Sequence, residues 1–340
     1  MTLEFLSLLV CAGGIILDPV EAQKQAIALR WSVERASKLE TKLSKIRGAN
    51  YLASNCVNTT QMWEQFDEEI IDRELGYSHE SGLNSIRVFI QYIVYEAYPD
   101  VLVQRFGRLL EIADNHNISV MPVLFDDCWL PEPQLGEQPK PTPGLHNCCW
   151  TSSPGERRTN DPAYRPKLAE YVKTLVSAFR TDNRIVAWDI YNEPTRGKET
   201  LLPLGFMWAR ECDPTQPLVA CWDGNKYSDV ITDHQYENPT DEKIRELKSS
   251  GRPVIITECL ARPKNNLVDF IPVYERHKVG WYIWEAIIGA DQTRFPWGSE
   301  PNSPEPEVPF HGLIYPDGKP YSKDEIKLIL ELAKRQEQKP

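Results

Sequence analysis

Two glutamate residues of this sequence each end a short apolar run that has the composition of a buried β-strand. Glu193 comes directly after Asn192 and the run 185–188, and Glu258 ends the run 254–257. A buried carboxylate is costly to remove from water unless it has a partner or a use. Burial also raises a carboxyl pKa toward the range in which the group can act as a general acid. The pair therefore indicates acid–base and nucleophilic chemistry, if the fold brings the two strand ends together.

Other strand ends add polar and aromatic groups that could serve the same site. A buried Arg87 would need a carboxylate partner, and pairing with Glu258 would hold that carboxylate ionised, as a nucleophile requires. The Tyr236 hydroxyl could hydrogen-bond the same carboxylate, and the Trp284 ring could stack on the apolar face of a sugar. Asp126, Asp127 and His234 are further candidates that could instead be local caps or core hydrogen-bonders. Trp129 could be a core residue or a platform for substrate, and Asn192 stands beside Glu193.

The elements that must position these residues alternate along the chain. Apolar strand-like runs are predicted at 49–54, 85–90, 119–125, 185–191, 217–222, 230–236, 253–257 and 280–284. Helical periodicity is predicted at 21–45, 67–81, 101–115, 162–180, 200–211, 240–249, 268–277 and 322–334. This alternation predicts parallel β/α units in one domain, closed into a (β/α)8 TIM barrel. An open doubly wound sheet is the alternative, although no GxGxxG or GxxxxGK[ST] motif supports it.

The barrel prediction has two consequences for the site. Glu193 would end strand four and Glu258 strand seven, which places them across the barrel mouth from each other. A carboxyl separation of about 5 Å suits double displacement at a glycosidic bond, and about 6.5–9.5 Å suits inversion. Between 222 and 230 there is room for at most one helical turn, so the fifth helix is expected to be missing or vestigial.

Two long segments follow predicted strands three and eight. Residues 126–161 are rich in proline, and residues 286–321 carry Trp297. Loops of this length in a compact domain are usually functional, and both would lie on the face of a barrel that carries active sites. Long walls on two sides of a mouth slightly favour a closed pocket and exo action over an open cleft and endo action.

Composition narrows the class of protein. The chain has 340 residues, 41% hydrophobic and 26% charged, which is typical of a globular enzyme. The formal net charge is −11 and no basic stripe is present, which argues against nucleic acid as a partner. A neutral carbohydrate is compatible with this charge.

The first 22 residues differ from the rest. Residues 5–17 are apolar and Ala22 lies at a small-residue cleavage site, which is the outline of a secretory signal, although no basic residue precedes the apolar run. We expect a leader at 1–22, a catalytic barrel with an extra N-terminal helix at 23–340, and a secreted, periplasmic or cell-surface location. The run is too short for an ordinary membrane-spanning helix.

Eight cysteines are present, without any CxxC pair. Cys128, Cys148 and Cys149 share the first long loop, and a secreted protein could form a bridge there. Cys221 and Cys259 lie in strand-like runs and are expected to be buried thiols.

Together these motifs resemble glycoside hydrolase clan A, and family 5 of cellulase-like or β-1,4-xylanase-like enzymes in particular. The resemblance covers about 45–334 and rests on Asn192-Glu193-Pro194, His234-Gln235-Tyr236, Arg87, Glu258 and Trp284, with Val123–Trp129 and Pro143–Asn147 in addition. It implies a (β/α)8 barrel that cleaves β-linked glycosides or polysaccharides with retention and without a cofactor.

The resemblance also implies roles for individual residues. Glu193 matches the acid/base, Glu258 the nucleophile, and Asn192 the residue that binds the sugar 2-hydroxyl. The positions that shape the nucleophile and the cleavage subsite are matched by Arg87, His234, Tyr236 and Trp284. The spacing from Glu193 to Glu258 is short for the clan, and the segment after strand one matches no family pattern.

Two other functions are compatible with the residues. A metal-dependent barrel hydrolase could use Asp126, Asp127, Glu193, His234 and Glu258 as ligands, although no paired-histidine motif occurs and this leaves Asn192 and Trp284 without a role. A sugar-binding barrel without catalysis is the other, and the presence of both glutamates argues against it.

Overall fold

The computed structural model describes residues 18–338, and its central sheet has eight parallel strands. They are β1 (Arg47–Asn50), β2 (Ser85–Phe89), β3 (Ser119–Asp126), β4 (Trp188–Asn192), β5 (Leu218–Val219), β6 (Ile231–Gln235), β7 (Val254–Cys259) and β8 (Gly280–Ile283). The strand order is β5-β4-β3-β2-β1-β8-β7-β6, so the first strand pairs with the last along the chain. This order confirms the predicted (β/α)8 barrel.

Helices surround the sheet. They are α1 (Pro19–Ala28), α2 (Val33–Ser37), α3 (Glu40–Leu43), α4 (Thr59–Glu64), α5 (Glu68–Glu80), α6 (Tyr92–Ala97), α7 (Pro99–Asn115), α8 (Glu156–Asn160), α9 (Arg165–Phe179), α10 (Leu201–Glu211), α11 (Asp241–Leu247), α12 (Leu267–His277) and α13 (Lys323–Glu337). In the described part of the chain, no helix is both long and apolar enough to cross a membrane.

Local chemistry explains why these elements begin where they do. Side chains of Asp67, Thr240 and Ser322 accept hydrogen bonds from backbone N–H groups in the first turns of α5, α11 and α13. Such caps satisfy donors that have no partner within the helix. Every residue of β2, β4 and β7 is buried, as expected for parallel strands covered on both faces.

Between β5 and β6 the barrel closes without the regular β-ladder that joins the other neighbouring strands. The backbone N–H of Asp229 donates to the Leu218 carbonyl oxygen at 2.8 Å, and the Asp229 carboxylate accepts from the Leu218 N–H at 2.8 Å. The Ser228 hydroxyl likewise accepts from the Ala220 N–H and donates to the Ala220 carbonyl oxygen. The connection between these strands is a 3-10 helix, Trp222–Lys226, which confirms that the fifth helix is vestigial.

Several predicted boundaries differ from the structure. The helix predicted over 21–45 is three short helices, because Ser32 caps a new helix after α1 has ended. Strand four begins at Trp188 rather than Ile185, and strand five is only two residues long. Helices α4, α6 and α8 do not correspond to any predicted helix, because each is too short to show a helical period. Of the predicted leader, residues 1–17 lie outside the described residues and 19–22 belong to α1.

The two long loops contact each other, and we call them the β3 loop (127–155) and the β8 loop (284–322). Gln292 joins them, since its amide oxygen accepts from Gly144 N–H at 3.1 Å and its amide nitrogen donates to the Thr142 carbonyl at 2.8 Å. The Asn302 N–H donates to the Pro143 carbonyl at 2.6 Å. A Cβ at Gly144 would lie 2.3 Å from the Ser303 nitrogen, so this approach requires glycine. One side of the barrel mouth is therefore a continuous wall.

Candidate active site

Glu193 stands directly after β4 with its side chain in the barrel mouth. Its φ angle is 41°, in the left-handed region, where a non-glycine residue costs about 1–3 kcal/mol. Strained residues of this kind concentrate at functional sites. Other non-glycine residues with a positive φ lie in the segments that follow strands at the same face: Trp129, Asn147, Trp222, Leu260 and Gln292.

Glu258 lies within β7 and is almost completely buried. Arg87 Nη1 on β2 donates to its Oε1 at 2.8 Å, and the Tyr236 hydroxyl donates to its Oε2 at 2.5 Å. Both predicted contacts are confirmed. The sequence did not indicate that Arg87 also binds Asp189 Oδ2, at 2.8 Å and 3.0 Å. The guanidinium is thereby fixed between two carboxylates, and it holds one oxygen of Glu258 in place.

His234 on β6 lies between the two glutamates. Its Nδ1 is 2.7 Å from Glu193 Oε1 and 3.5 Å from Glu258 Oε2. One oxygen of each carboxylate and one ring nitrogen all lie within 4.8 Å of one another. The two carboxylates therefore approach each other to within this distance through one oxygen each.

The electrostatics correct one expectation about Glu193. Burial raises the pKa of its carboxyl, as predicted, but the hydrogen bond and positive charge of His234 outweigh burial and lower that pKa. For Glu258 burial prevails over the charges of His234 and Arg87, and its pKa is raised. Burial lowers the pKa of His234, yet the charge of Glu258 and the contact with Glu193 raise it well above its ordinary value. These directions favour a protonated His234 beside an ionised Glu193.

Asn192 is held by protein groups on both ends of its amide. Its Oδ1 accepts from Arg87 Nη2 at 2.7 Å, and its Nδ2 donates to Asp126 Oδ1 at 2.9 Å. Trp150 Nε1 donates to the other oxygen of Asp126 at 2.7 Å. Burial raises the pKa of Asp126 to about 6, and these donors only partly offset it. Asp126 therefore orients Asn192 from behind, and the predicted contact of Asn192 with a sugar hydroxyl stays a prediction.

Cys128 contacts the carboxylate of Glu193. Its thiol is 3.3 Å from Glu193 Oε2 and 3.3 Å from Asn192 Nδ2. Burial, together with the charges of Asp126 and Glu193, raises the pKa of the thiol well above its ordinary value. The group is thus a neutral thiol that donates a weak hydrogen bond to the second oxygen of Glu193.

Three of the predicted site residues are engaged by other protein groups in the structure. Arg87 and His234 are completely or almost completely buried behind the carboxylates and do not line the pocket, because ion pairs hold them there. Asp127 does border the pocket, but its Oδ2 accepts from the backbone N–H groups of Thr195 and Arg196 at 2.8 Å each. Its carboxylate therefore fixes the turn after Glu193.

A pocket of about 320 Å³ opens above the two glutamates, which is small for a ligand site. Trp284 and Trp129 line it, where the sequence predicts them. Trp129, Trp222 and Trp297 are 48%, 43% and 40% exposed, which leaves aromatic faces free at the rim. The other lining residues are Asp127, Cys128, His146, Asn147, Trp150, Asn192, Glu193, Thr195, Tyr236, Glu258 and His311.

Cys128, His146, Asn147, Thr195 and His311 were not among the predicted site residues. Cys128, His146 and Asn147 lie in the stretches Val123–Trp129 and Pro143–Asn147 that carry the family resemblance, whereas only the unusual length of the β8 loop could have indicated His311. Among the described cysteines none is bridged, including the three of the first long loop, where a secreted protein could form a disulfide. Cys148 and Cys149 have sulfurs 3.9 Å apart, while Cys128 faces Glu193. Cys221 and Cys259 are buried thiols, as predicted.

Glu193, His234 and Glu258 are also the described residues that could hold a metal ion. Two carboxylates and an imidazole form a reasonable set for a divalent cation. Asp126 and Asp127, which the sequence suggested as further ligands, are engaged with Asn192 and with the turn after Glu193. Of the five ligands considered for a metal-dependent hydrolase, three therefore remain available to a metal ion.

No protein-family model matches this chain. Among solved structures it is similar to the exo-β-1,4-mannosidase Op5Man5 of Opitutaceae bacterium strain TAV5, with a TM-score of 0.58 and 18% identity over 86% of this chain. A GH5_18 enzyme of Streptomyces cattleya in complex with GlcNAc has a TM-score of 0.57 and 13% identity, over 87% of this chain and 82% of its own. A GH2 β-galacturonidase of Eisenbergiella tayi bound to galacturonate has a TM-score of 0.53 and 17% identity, over 85% and 51%.

These likenesses show the fold. The chain has a (β/α)8 barrel, the fold that the resemblance in its sequence implied. It spans 59% of the length of the Opitutaceae mannosidase.

Proposed function

We propose that this protein is a retaining β-glycosidase. The observation that carries the proposal is the pair of Glu193 and Glu258, which have one oxygen each within 4.8 Å of the other at the floor of an aromatic pocket. So short an approach favours double displacement over inversion. The fold neighbours act on mannosides and on galacturonides, by their names, and thus support glycoside chemistry without fixing the sugar.

Glu258 is the nucleophile in this mechanism. Arg87 and Tyr236 hold its carboxylate still and stabilise its charge, although burial opposes that charge. One of its oxygens attacks the anomeric carbon, the bond to the leaving oxygen breaks, and a covalent glycosyl-enzyme forms.

Glu193 is the acid and then the base. Its carboxylate is 25% exposed and can therefore reach a leaving oxygen above the pocket floor. In the first step the proton on His234 passes to Glu193 across their 2.7 Å hydrogen bond, and from Glu193 to the leaving oxygen. In the second step Glu193 takes a proton from water, and the hydroxide attacks the anomeric carbon and releases Glu258.

The joined β3 and β8 loops favour action at the end of a sugar chain. A polymer that ran through the mouth would have to cross the wall that Gln292 and Asn302 form with residues 142–144. With a β-linked oligosaccharide series, we expect single sugars as the first products from every length. An initial mixture of mid-length products would show endo action instead.

Covalent trapping tests the mechanism directly. Incubation with 2-deoxy-2-fluoro β-glycosides that carry a good leaving group should add one glycosyl mass to the protein. The fluorine slows both formation and hydrolysis of the intermediate, whereas the good leaving group speeds formation alone, so the intermediate accumulates. Peptide mass spectrometry should place the label on Glu258. A label on another residue would contradict the assignment.

Two controls separate this proposal from its alternatives. A chelator should leave turnover unchanged; loss of activity that added metal restores would instead support a metal site at Glu193, His234 and Glu258. Sugar binding without turnover of any glycoside tested would support the non-catalytic alternative.

A further inference from the structure

The wall formed by the two long loops places two histidines side by side at the pocket. His146 belongs to the β3 loop and His311 to the β8 loop, and their ring centroids are 5.5 Å apart. Both are buried and both line the pocket. Trp129 packs on His146 at 5.3 Å and Tyr236 packs on His311 at 5.6 Å. The rings are therefore fixed in place by aromatic neighbours.

The hydrogen bonds of these rings define their tautomer. Nδ1 of His146 is 2.6 Å from the Phe295 carbonyl oxygen, and Nδ1 of His311 is 2.6 Å from the Leu260 carbonyl oxygen. A carbonyl oxygen only accepts, so each Nδ1 carries a proton. Burial lowers the pKa of His146 to about 4 and that of His311 well below its ordinary value, so both rings are neutral near pH 7. Each Nε2 then has a free lone pair and accepts hydrogen bonds.

The ionised groups around the pocket are acidic. Of the described residues that line it, none is lysine or arginine, whereas Asp127, Glu193 and Glu258 are carboxylic acids. Arg87 is engaged with Asp189 and Glu258, and Arg196 lies 3.4 Å from Asp127. Lys264, above the Trp297 ring, is 3.4 Å from Glu237. An anionic ligand would therefore meet no unpaired cation in the lining.

We propose that the pocket selects an uncharged sugar residue, and that His146 and His311 determine this specificity by accepting hydrogen bonds from its hydroxyl groups. A sugar hydroxyl donates to a neutral Nε2, and the tryptophan faces cover the apolar C–H surface of the ring. A uronic acid brings a carboxylate that meets no unpaired cation in the lining and lies near three acidic groups, which is costly in a desolvated site. The inference rests on the proposed glycosidase function and names the substrate class of that site.

Matched substrates test the selection. We expect kcat/KM for 4-nitrophenyl β-glucuronide and β-galacturonide to be lower than for the β-glucoside and β-galactoside by about 100-fold or more, with the β-mannoside included as another uncharged sugar. Within each pair only carbon 6 differs, so leaving group and ring configuration are controlled. Equal or better cleavage of a uronide by a reaction that needs Glu258 would overturn the inference and leave the glycosidase function intact.

Two substitutions of His311 separate recognition from structure. His311→Gln keeps a polar acceptor near the position of Nε2, whereas His311→Asn keeps a donor near Nδ1 for the Leu260 carbonyl and has no atom at Nε2. We expect His311→Asn to raise KM for the preferred uncharged glycoside about 10-fold, and His311→Gln to restore part of the loss. A structural role would give the opposite order, because His311→Asn preserves the internal hydrogen bond, and would contradict the inference.

Calorimetry distinguishes failure of the inference from failure of the proposed function. Binding of glucose, galactose, mannose and their uronic acids is measured with the wild-type protein beside the turnover assays. Binding of uncharged sugars without turnover of any glycoside would refute the glycosidase and support the pocket's selectivity. Tighter binding of a uronic acid would refute the selectivity, and absence of both binding and turnover would refute both.

Discussion

The ends of β4 and β7 present the same side chain in two different environments. Glu258 lies within its strand and is 6% exposed, with Arg87 and Tyr236 bound to its oxygens. Glu193 lies just beyond its strand at a positive φ and is 25% exposed, with His234 and Cys128 as its neighbours. One carboxylate is fixed and the other faces both a proton source and the pocket.

This difference explains how two identical side chains can be assigned different roles. A nucleophile benefits from a rigid position and from donors that stabilise its charge. An acid and base must exchange a proton and reach the solvent side of the bond. Each variant below alters one side of this comparison, beginning with the largest expected effect.

Glu258→Ala should lower kcat/KM by roughly 10⁴-fold or more on every substrate, because no covalent intermediate can form. Azide fits the space left by the carboxylate and attacks from the same face. The product should therefore be an α-glycosyl azide, inverted relative to the substrate and identifiable by NMR. Near wild-type turnover would show that Glu258 is not the nucleophile.

Glu193→Ala should lower kcat/KM by about 10²–10⁴-fold on glycosides with poor leaving groups, which need protonation. Dinitrophenyl glycosides should form the glycosyl-enzyme at nearly the wild-type rate, because their leaving group needs no proton. Azide should then give the β-glycosyl azide, with the configuration opposite to that from Glu258→Ala. An equal loss on all leaving groups would contradict the acid role.

His234→Asn should narrow the pH profile of kcat/KM from both sides. The acidic limb should move up, because the charge of His234 lowers the pKa of Glu258 and is lost. The basic limb should move to lower pH. In the wild type the strongly raised pKa of His234 retains the proton that the pair with Glu193 delivers, and asparagine cannot hold that proton. A basic limb that moved up would show that Glu193 titrates alone.

His277→Asn is the matched control for this pH profile. His277 pairs with Asp241 at 2.6 Å on the outer helices α11 and α12, and it has no contact with the site. We expect its profile to keep the wild-type limbs.

Cys128→Ala should have the smallest effect, about 3-fold to 10-fold in kcat on poor leaving groups, because a single weak hydrogen bond to Glu193 is lost. Cys128→Ser should retain most of the activity, since a hydroxyl also donates. Iodoacetamide should react slowly with Cys128 at neutral pH, because its raised pKa keeps it a thiol. Equal effects of both substitutions would indicate a packing role.

Much of the fold follows from local sequence pattern. The runs that became β2, β3 and β7 are short and apolar, and the amphipathic segments that became α5, α7 and α12 have clear starts and ends, so their positions could be predicted. The short connection at 222–230 likewise predicted the vestigial fifth helix. The helix predicted over 21–45 failed, because its periodicity continues across the cap at Ser32.

For the candidate site, the sequence determined which residues end the strands, because a carboxylate after a buried apolar run is unusual in any fold. The order of the strands then predicted that Glu193 and Glu258 face each other across the barrel mouth, and that Arg87 and Tyr236 contact Glu258. These contacts join neighbouring or facing strands of a regular barrel, whose geometry is known in advance.

Only the tertiary structure decided the rest. The β3 and β8 loops follow no repeating geometry, so nothing in their sequence shows that they meet or that His146 stands beside His311. The same holds for Cys128 at Glu193. The protonation of Glu193 depends on His234, a partner 41 residues away, and its pKa is lowered where burial alone predicted that it would rise. Burial can be read from a pattern of apolar residues, whereas the balance of charges in a site depends on distances that exist only after folding.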